Sequence, residues 1–322
     1  MTPSIKVDSF DDIHLRIITL GYPEEGESIM ISLMDKERIL YNAFTDNFDV
    51  DGFQYWVDKL PEDTRIDDFI WTHPDEDHSL GIEKLLQRFD PDCKANIYIP
   101  TSLTEQLLKD NNKHKSLPAY KYLKNNYNIN RKYQWNEISL CEGEGIRYLS
   151  KLKLTDRTTD YTITFKIGFM LPYGSVVNRR VDKTKMNSGE MNDLSLFFII
   201  ELNKVRYIFS GDLAKTNIKF LDDDYLSACR FIKIPHHGSL DPKKLVEKIE
   251  WLPSIPTHAV TTVFGKTHPY DEVLNLYANK CHEVFCTGRG VHSYGMVKLD
   301  YSVKDLSKYT FALEGNAVKV RP

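Results

Sequence analysis

Taken as a pattern of apolar and polar positions, the chain begins in short alternating runs. HLRIITL, SIMISLM and RILYNAF repeat with period two, and PEEGE supplies a turn, so the first 45 or so residues read as an antiparallel meander. GFQYWVDKL (52–60) suggests a helix, and DDFIWTH a short strand running into THPDEDHS (72–79). Directly afterwards Ile82, Leu85, Leu86 and Phe89 fall at i, i+3, i+4 and i+7, one apolar stripe of a helix, with Asp77 and Ser79 as candidate caps. NIYIP reads as a strand and TSLTEQLLKD as a helix.

From about 109 to 135 the period is lost. NNKHKSLPAYKYLKNNYNINRKYQW is basic and rich in Asn and Tyr, and reads as an inserted arm. YTITFKIGFML is strand-like, and GSVVNRRVDKTKMNSGEMND reads as a polar loop. LSLFFIIEL and VRYIFSGD around Asn203-Lys204 make a hairpin, and RFIKIPHHGS is a strand entering a polar loop. KLVEKIEWL and DEVLNLYANKC read as helices; HAVTTVF, CHEVFCT and YGMVKLDY read as strands. Two blocks of strands with helices between them imply two packed sheets covered by helices.

Composition narrows the class. In 322 residues, 41% hydrophobic content supports a substantial core, and a formal net charge of -4 means that any nucleic-acid contact rests on a local patch. No apolar run approaches the length of a membrane span, and the start lacks the apolar region of a signal peptide. Five cysteines, an odd number with no CxxC pair, fit reduced thiols in a cytoplasmic protein.

The cluster at 73–78 places two histidines and three acids in six positions. Packing gives no reason for it; a bound cation does. Three further islands also fall at strand ends or entrances: Asn192-Asp193-Leu194-Ser195, Ser210-Gly211-Asp212 and His236-His237-Gly238-Ser239. Imidazole and carboxylate together suit divalent metals, and a two-metal site needs a shared carboxylate. Asp212, alone after an apolar strand and a glycine, is the natural bridge. His73 and Asp75 would hold one ion with it, and Asp77, His78 and His236 the other. Two dications would lower the pKa of a shared water from ~15.7 to about 7.

These islands resemble the metallo-β-lactamase superfamily, and most of all the hydrolase domain of ComEC-type competence proteins. That domain carries H-P-D-x-D-H, N-x-x-S, G-D, H-H-G-S and H-P in order. This chain carries THPDEDH, NDLS, SGD, PHHGS and Thr267-His268-Pro269, with Gly26-Glu27-Ser28-Ile29 similar to an upstream G-D-S-I. The resemblance spans roughly residues 15–300.

It implies an α/β chain of the α+β kind: an αββα four-layer sandwich of two mixed sheets flanked by helices. The whole of 1–322 would be one domain, with the basic arm at about 109–135 inserted. It implies a metal-dependent hydrolase, a phosphodiesterase or nuclease acting on nucleic acid. The ligands would be His73, Asp75, Asp77, His78, Asp212 and His236, holding two divalent ions (Zn²⁺, Mn²⁺ or Mg²⁺). Asp75, standing where the commoner motif has histidine, moves the preference toward the harder ions. Asp77, His237 and His268 would act in catalysis, with His268 or the histidine of the 236/237 pair not used as ligand protonating the leaving group; which of that pair is the ligand stays open, His236 being favoured.

Asn192, Ser195, Arg179, Arg180 and Lys132 are the candidate substrate contacts, with Lys183 and Lys185 extending the second basic stretch. The arm's Tyr120, Tyr122, Tyr127, Tyr133 and Trp135 offer rings for stacking beside its cations. Two departures stand out: no third-motif histidine separates His78 from Asp212 apart from His114 in the arm, and Asn42 sits where the family carries an Asp beneath the metals.

A carboxyl-ester or lactone hydrolase is the alternative enzyme. A degenerate member serving as a binding or assembly subunit is the alternative outside enzymes. The resemblance also admits a partner protein in a bacterial defence or DNA-processing system. His14, His258 and His282 read as structural, and His292 lies in a glycine-rich loop.

Overall fold

The computed structural model describes residues 2–22, 26–48, 60, 64–128, 134–141, 143–181, 186, 188–288 and 294–320. The helix expected over GFQYWVDKL, together with Lys132, Tyr133, Lys183, Lys185 and His292, lies outside the described residues.

In chain order the strands are β1 (Ser4–Val7), β2 (Ile13–Gly21), β3 (Glu27–Asp35), β4 (Arg38–Thr45), β5 (Asp68–Ile70), β6 (Asn96–Pro100), β7 (Trp135–Ile138), β8 (Arg147–Asp156) and β9 (Thr162–Leu171). Then follow β10 (Phe197–Leu202), β11 (Val205–Phe209), β12 (Cys229–Lys233), β13 (His258–Thr261), β14 (Glu283–Cys286), β15 (Gly295–Ser302), β16 (Tyr309–Gly315) and β17 (Val318–Val320).

Among the described residues they form two mixed sheets. One runs β1-β8-β9-β10-β11-β12-β13-β14-β17, and the other β16-β15-β2-β3-β4-β5-β6-β7. The meander is antiparallel over β2, β3 and β4. The hairpin β10–β11 turns at Asn203 and Lys204, which take φ 52 and 65 as a tight two-residue turn requires. β4, β5, β6 and β7 pair in parallel, as do β11, β12, β13 and β14.

Period-two alternation sorts the side chains into three apolar layers. Ile13, Leu15 and Ile17 of β2 meet Phe165, Ile167 and Phe169 of β9 between the sheets. Ile18 and Leu20 point the other way, toward Leu85, Leu86, Leu107 and Leu123 of the helices on that face. On the far side Phe197 and Ile199 pack with Leu245, Val273 and Leu274. The architecture is therefore the αββα sandwich. Each fully buried Leu, Ile or Phe contributes about 1.5–3 kcal/mol, and the central strands bury both faces.

Three local expectations are corrected. The helix Ile82–Phe89 starts at Gly81 in the left-handed region with no side-chain cap. Asp77 and Ser79 are engaged elsewhere: Asp77 toward the site, Ser79 accepting from Trp71 Nε1 at 3.1 Å. The polar stretch after β9 contains helices at Gly174–Val181 and Ser188–Met191 rather than an open loop. The basic arm holds a helix, Leu117–Tyr127, that buries Ala119, Tyr120, Leu123 and Tyr127. Tyr127 also donates to Asp90 Oδ2 at 2.7 Å, so Tyr120 and Tyr127 are core side chains and present no face to a base. Among the described residues no helix is long and apolar enough to cross a membrane.

Candidate metal centre

Parallel strands end in step, so the residues that follow them gather along one edge of the sandwich, where open sheets of this kind place ligands. β4 delivers Asp46, β5 delivers Thr72 and His73, β11 delivers Asp212, β12 delivers His236 and His237, and β13 delivers Thr262. The turn into Asp212 requires glycine: Gly211 has φ +49, and a Cβ there would stand 2.5 Å from Ser195 Oγ.

Asp212 is 3% exposed and faces two ways. Its Oδ1 lies 3.3 Å from His78 Nε2 and 3.9 Å from His237 Nε2. Asp77 Oδ2 closes that group, 3.4 Å from His78 Nε2 and 3.0 Å from His237 Nε2. On the other side, Asp212 Oδ2 is 3.7 Å from both His73 Nε2 and His236 Nε2. One carboxylate thus stands between two half-sites.

Sequence reasoning placed His236 with Asp77 and His78; the structure places His237 there and His236 beside His73. Both residues take positive φ (48 and 51), and the turn they make sends the His237 ring inward to 1% exposure while the His236 side chain stays 32% exposed.

The hydrogen-bond network assigns the imidazole tautomers. Asp46, fully buried, accepts from Thr72 N at 2.7 Å and Thr72 Oγ1 at 2.6 Å. Its Oδ2 also takes His78 Nδ1–H at 2.7 Å. Thr72, its own hydrogen given to Asp46, accepts from His73 Nδ1–H at 3.0 Å. In the same way Thr262 Oγ1 donates to Glu27 Oε2 at 2.6 Å and accepts from His237 Nδ1–H at 2.7 Å. Lys233 Nζ holds that carboxylate at 2.7 Å. His73, His78 and His237 therefore all turn Nε2 toward Asp212 or Asp77.

Ionisation follows from this packing. Burial raises the Asp212 carboxyl, but His236, His78 and His237 outweigh it and hold the group well below the usual carboxylate range. Asp77 is held low in the same manner, against its burial, chiefly by His78 and His237. Burial lowers His78, yet Asp77, Asp212 and Asp46 together carry it well above an ordinary histidine. His73, with burial and His78 both opposing its charge, falls below. Glu27, raised by burial but drawn down by Lys233, His78 and His237, settles at about 2.

The donor set fits divalent cations. Buried His73 Nε2, His78 Nε2 and Asp212 Oδ1 have no hydrogen-bond partner, and an unpaired buried polar atom costs about 1–3 kcal/mol. Ligand atoms of Asp77, His78, Asp212 and His237 all lie within 4.8 Å of one another. Ligands at ~2.0–2.2 Å from a tetrahedral ion stand roughly 3.3–3.6 Å apart, close to the 3.0–3.9 Å separations here. Glu27, Asp46 and His78 also cluster, but on the Nδ1 side of the His78 ring, where the two carboxylates back the imidazole.

The other expected residues fall as follows. Asp75 Oδ1 is paired with Lys113 Nζ at 2.6 Å, so the arm occupies the carboxylate expected to join His73. Ser116 Oγ donates to Pro74 O at 2.6 Å and Lys115 pairs with Glu76, which brace the same loop. Ser195 Oγ accepts from Asp212 N at 3.1 Å, and Asn192 is buried with Oδ1 unpartnered. Arg180 grips Asp193 Oδ2 at 2.5 and 2.8 Å and Glu190 Oε1 at 2.6 Å, a bracing role. Arg179 is exposed. His268 stacks near His236, ring centroids 6.2 Å apart, and is lowered by burial, then by His236 and His237.

Asn42 is not beneath the site. It sits within β4, accepting from Ser32 Oγ at 2.7 Å and donating to Arg65 O at 2.7 Å; the supporting carboxylate is Asp46, one residue past the strand. Sequence reasoning missed Asp46, Thr72, Thr262 and Lys233, and gave Glu27 no role. The strand ending at Thr45-Asp46-Asn47 was the available signal.

His14, His258 and His282 are held away from the site by Arg16, by Tyr301 with Glu283, and by Thr257.

No protein-family model matches this chain, and no curated protein matches it. Among solved structures it is similar to human tRNase Z, short form. The two are 14% identical with a TM-score of 0.37, and the match covers 83% of this chain and 88% of that one.

Proposed function

We propose that this protein is a metal-dependent hydrolase of the metallo-β-lactamase superfamily, closest to the ComEC-type domain, and that it cleaves phosphodiesters of nucleic acid. The observation that carries the reading is the convergence of buried, unpartnered His73 Nε2, His78 Nε2 and Asp212 Oδ1 around one carboxylate. Asp77, His78, His237 and Asp212 would hold one cation; His73, His236 and Asp212 would hold the other. Bound there, zinc or manganese would supply Lewis acidity and an acidified water.

The chain's own residues do the rest. Asp46 and Thr72 orient His78 and His73, and Ser195 fixes the Asp212 turn. His268, whose ring stacks 6.2 Å from that of His236, would give a proton to a departing oxygen. A cavity of about 400 Å³ lined by Arg179, Thr216 and Lys219, with Asp193 from the Asn192–Ser195 segment, would offer the charge of Arg179 and Lys219 to a phosphate chain, Arg180 there being held by Asp193 and Glu190.

The departure at Asn42 gives no ground for a degenerate assembly subunit, because Asp46 supplies the buried carboxylate. The deciding experiment is metal-dependent turnover of an activated phosphodiester and of single- and double-stranded DNA and RNA, with Asp212→Ala as control. Turnover that requires metal and Asp212 is the expected result. Turnover of acyl esters or lactones alone would shift the assignment to the other hydrolase class, and bound metal with no turnover to a binding role.

A further inference from the structure

Lys233 and Glu27 are each 1% exposed, on strands from different sheets, and paired at 2.7 Å. A buried ion pair is commonly no more stabilising than well-packed apolar residues of the same size, so its presence calls for a task. The geometry points to one: we propose that Glu27, held as an acceptor by Lys233, is a positioning residue that fixes the tautomer of His237 through Thr262. This rests on the metal-centre reading above.

The argument is a count of hydrogens. Thr262 Oγ1 has one hydrogen and gives it to Glu27 Oε2 at 2.6 Å. Toward His237 Nδ1, 2.7 Å away, it can then only accept. His237 therefore carries a proton on Nδ1; the hydrogen on Nε2, given to Asp77 Oδ2 at 3.0 Å, is the one a cation would displace, leaving the Nε2 lone pair for the group formed by Asp77, His78 and Asp212. Lys233 Nζ also reaches Ile234 O at 3.1 Å, tying the pair to the chain just before His236 and His237. Without Glu27 the Thr262 hydrogen is free to turn to Nδ1, and the opposite tautomer, with Nε2–H facing the site, becomes as good. The neighbouring Asp46–Thr72–His73 chain has the same construction, a threonine whose hydrogen goes to a carboxylate and whose oxygen accepts from an imidazole.

The test compares wild type with Glu27→Leu/Lys233→Met, which removes both charges together, and with Thr262→Val and Thr262→Ser. Zinc affinity and stoichiometry are measured by titration calorimetry, and the His237 tautomer by nitrogen-15 NMR. The double variant and Thr262→Val are expected to lose ~10–100-fold in affinity for one of two zinc ions and to lose the protected His237 Nδ1–H resonance. Thr262→Ser, and Glu27→Asp in part, should keep both.

Unchanged affinity together with an unchanged Nδ1–H resonance in Thr262→Val would overturn the proposal. So would loss of affinity with the tautomer intact. Should the double variant not fold, Thr262→Val alone decides. If wild type takes up no dication, the hydrolase reading fails, and the Nδ1–H resonance in metal-free protein judges the lock separately.

Discussion

On its Oδ1 side Asp212 meets Asp77, His78 and His237, each buried, with both rings backed by a carboxylate directly or through a threonine. On its Oδ2 side it meets His73, locked by Thr72, and His236, whose side chain is 32% exposed and whose Nδ1 has no partner. The Asp75 carboxylate on that side is already paired with Lys113. The same residue types therefore make one closed half and one open half. A closed half holds an ion tightly because its ligands lose little freedom on binding; an open half holds one loosely and leaves room for substrate.

The comparison predicts a ranking. Asp212→Ala removes the ligand common to both halves, so turnover should fall by more than the ~10–100-fold that loss of an outer partner costs, and metal content should drop for both ions. His237→Ala and His236→Ala then separate the halves. Elemental analysis should show His237→Ala losing one tightly held equivalent, whereas His236→Ala keeps it and shows weaker second-ion binding. Equal effects from the two would erase the distinction.

Proton behaviour sharpens it further. His78 is raised above an ordinary histidine, so in metal-free protein its charge stabilises the fold below the unfolded value of about 6.5. That contribution is lost as pH climbs through the higher folded value. His73 is lowered and gives no such increment. The melting temperature of chelated protein should therefore decline as pH rises above about 6.5. Metal-loaded protein should lose this trend, because the cation displaces the proton and binds more tightly at higher pH. A chelated protein whose stability ignores pH from 6 to 9 would count against the account.

The smallest effect concerns Lys113→Met, which frees Asp75. Second-ion affinity, measured by titration, should rise a few-fold while the first is unchanged.

Much of this was legible in the chain. The meander could be read because apolar residues alternate over whole strands, and the ligand islands because acids and histidines crowd where strands stop. Asp212, isolated after an apolar strand and a glycine, was legible as a shared carboxylate, and the structure sets it between the two groups of histidines. What could not be read depends on three-dimensional choices. His236 and His237 are adjacent and both take positive φ, and only the folded turn decides which ring faces inward. Asp46 is one acid at a strand end, and its role appears only when β4 and β5 lie side by side. The helix at Leu117–Tyr127 hides its apolar face behind tyrosines among Asn and Lys. Glu27 and Lys233 come from opposite ends of the chain and different sheets, so no local pattern marks them as a pair.

The central claim is that Asp212 joins two cation positions of unequal strength. The most direct measurement is anomalous diffraction from crystals equilibrated with increasing Mn²⁺. The account predicts a first peak among Asp77, His78, His237 and Asp212 Oδ1 at low concentration, and a second beside His73, His236 and Asp212 Oδ2 only at higher concentration. Peaks of equal occupancy throughout, or none touching Asp212, would contradict it.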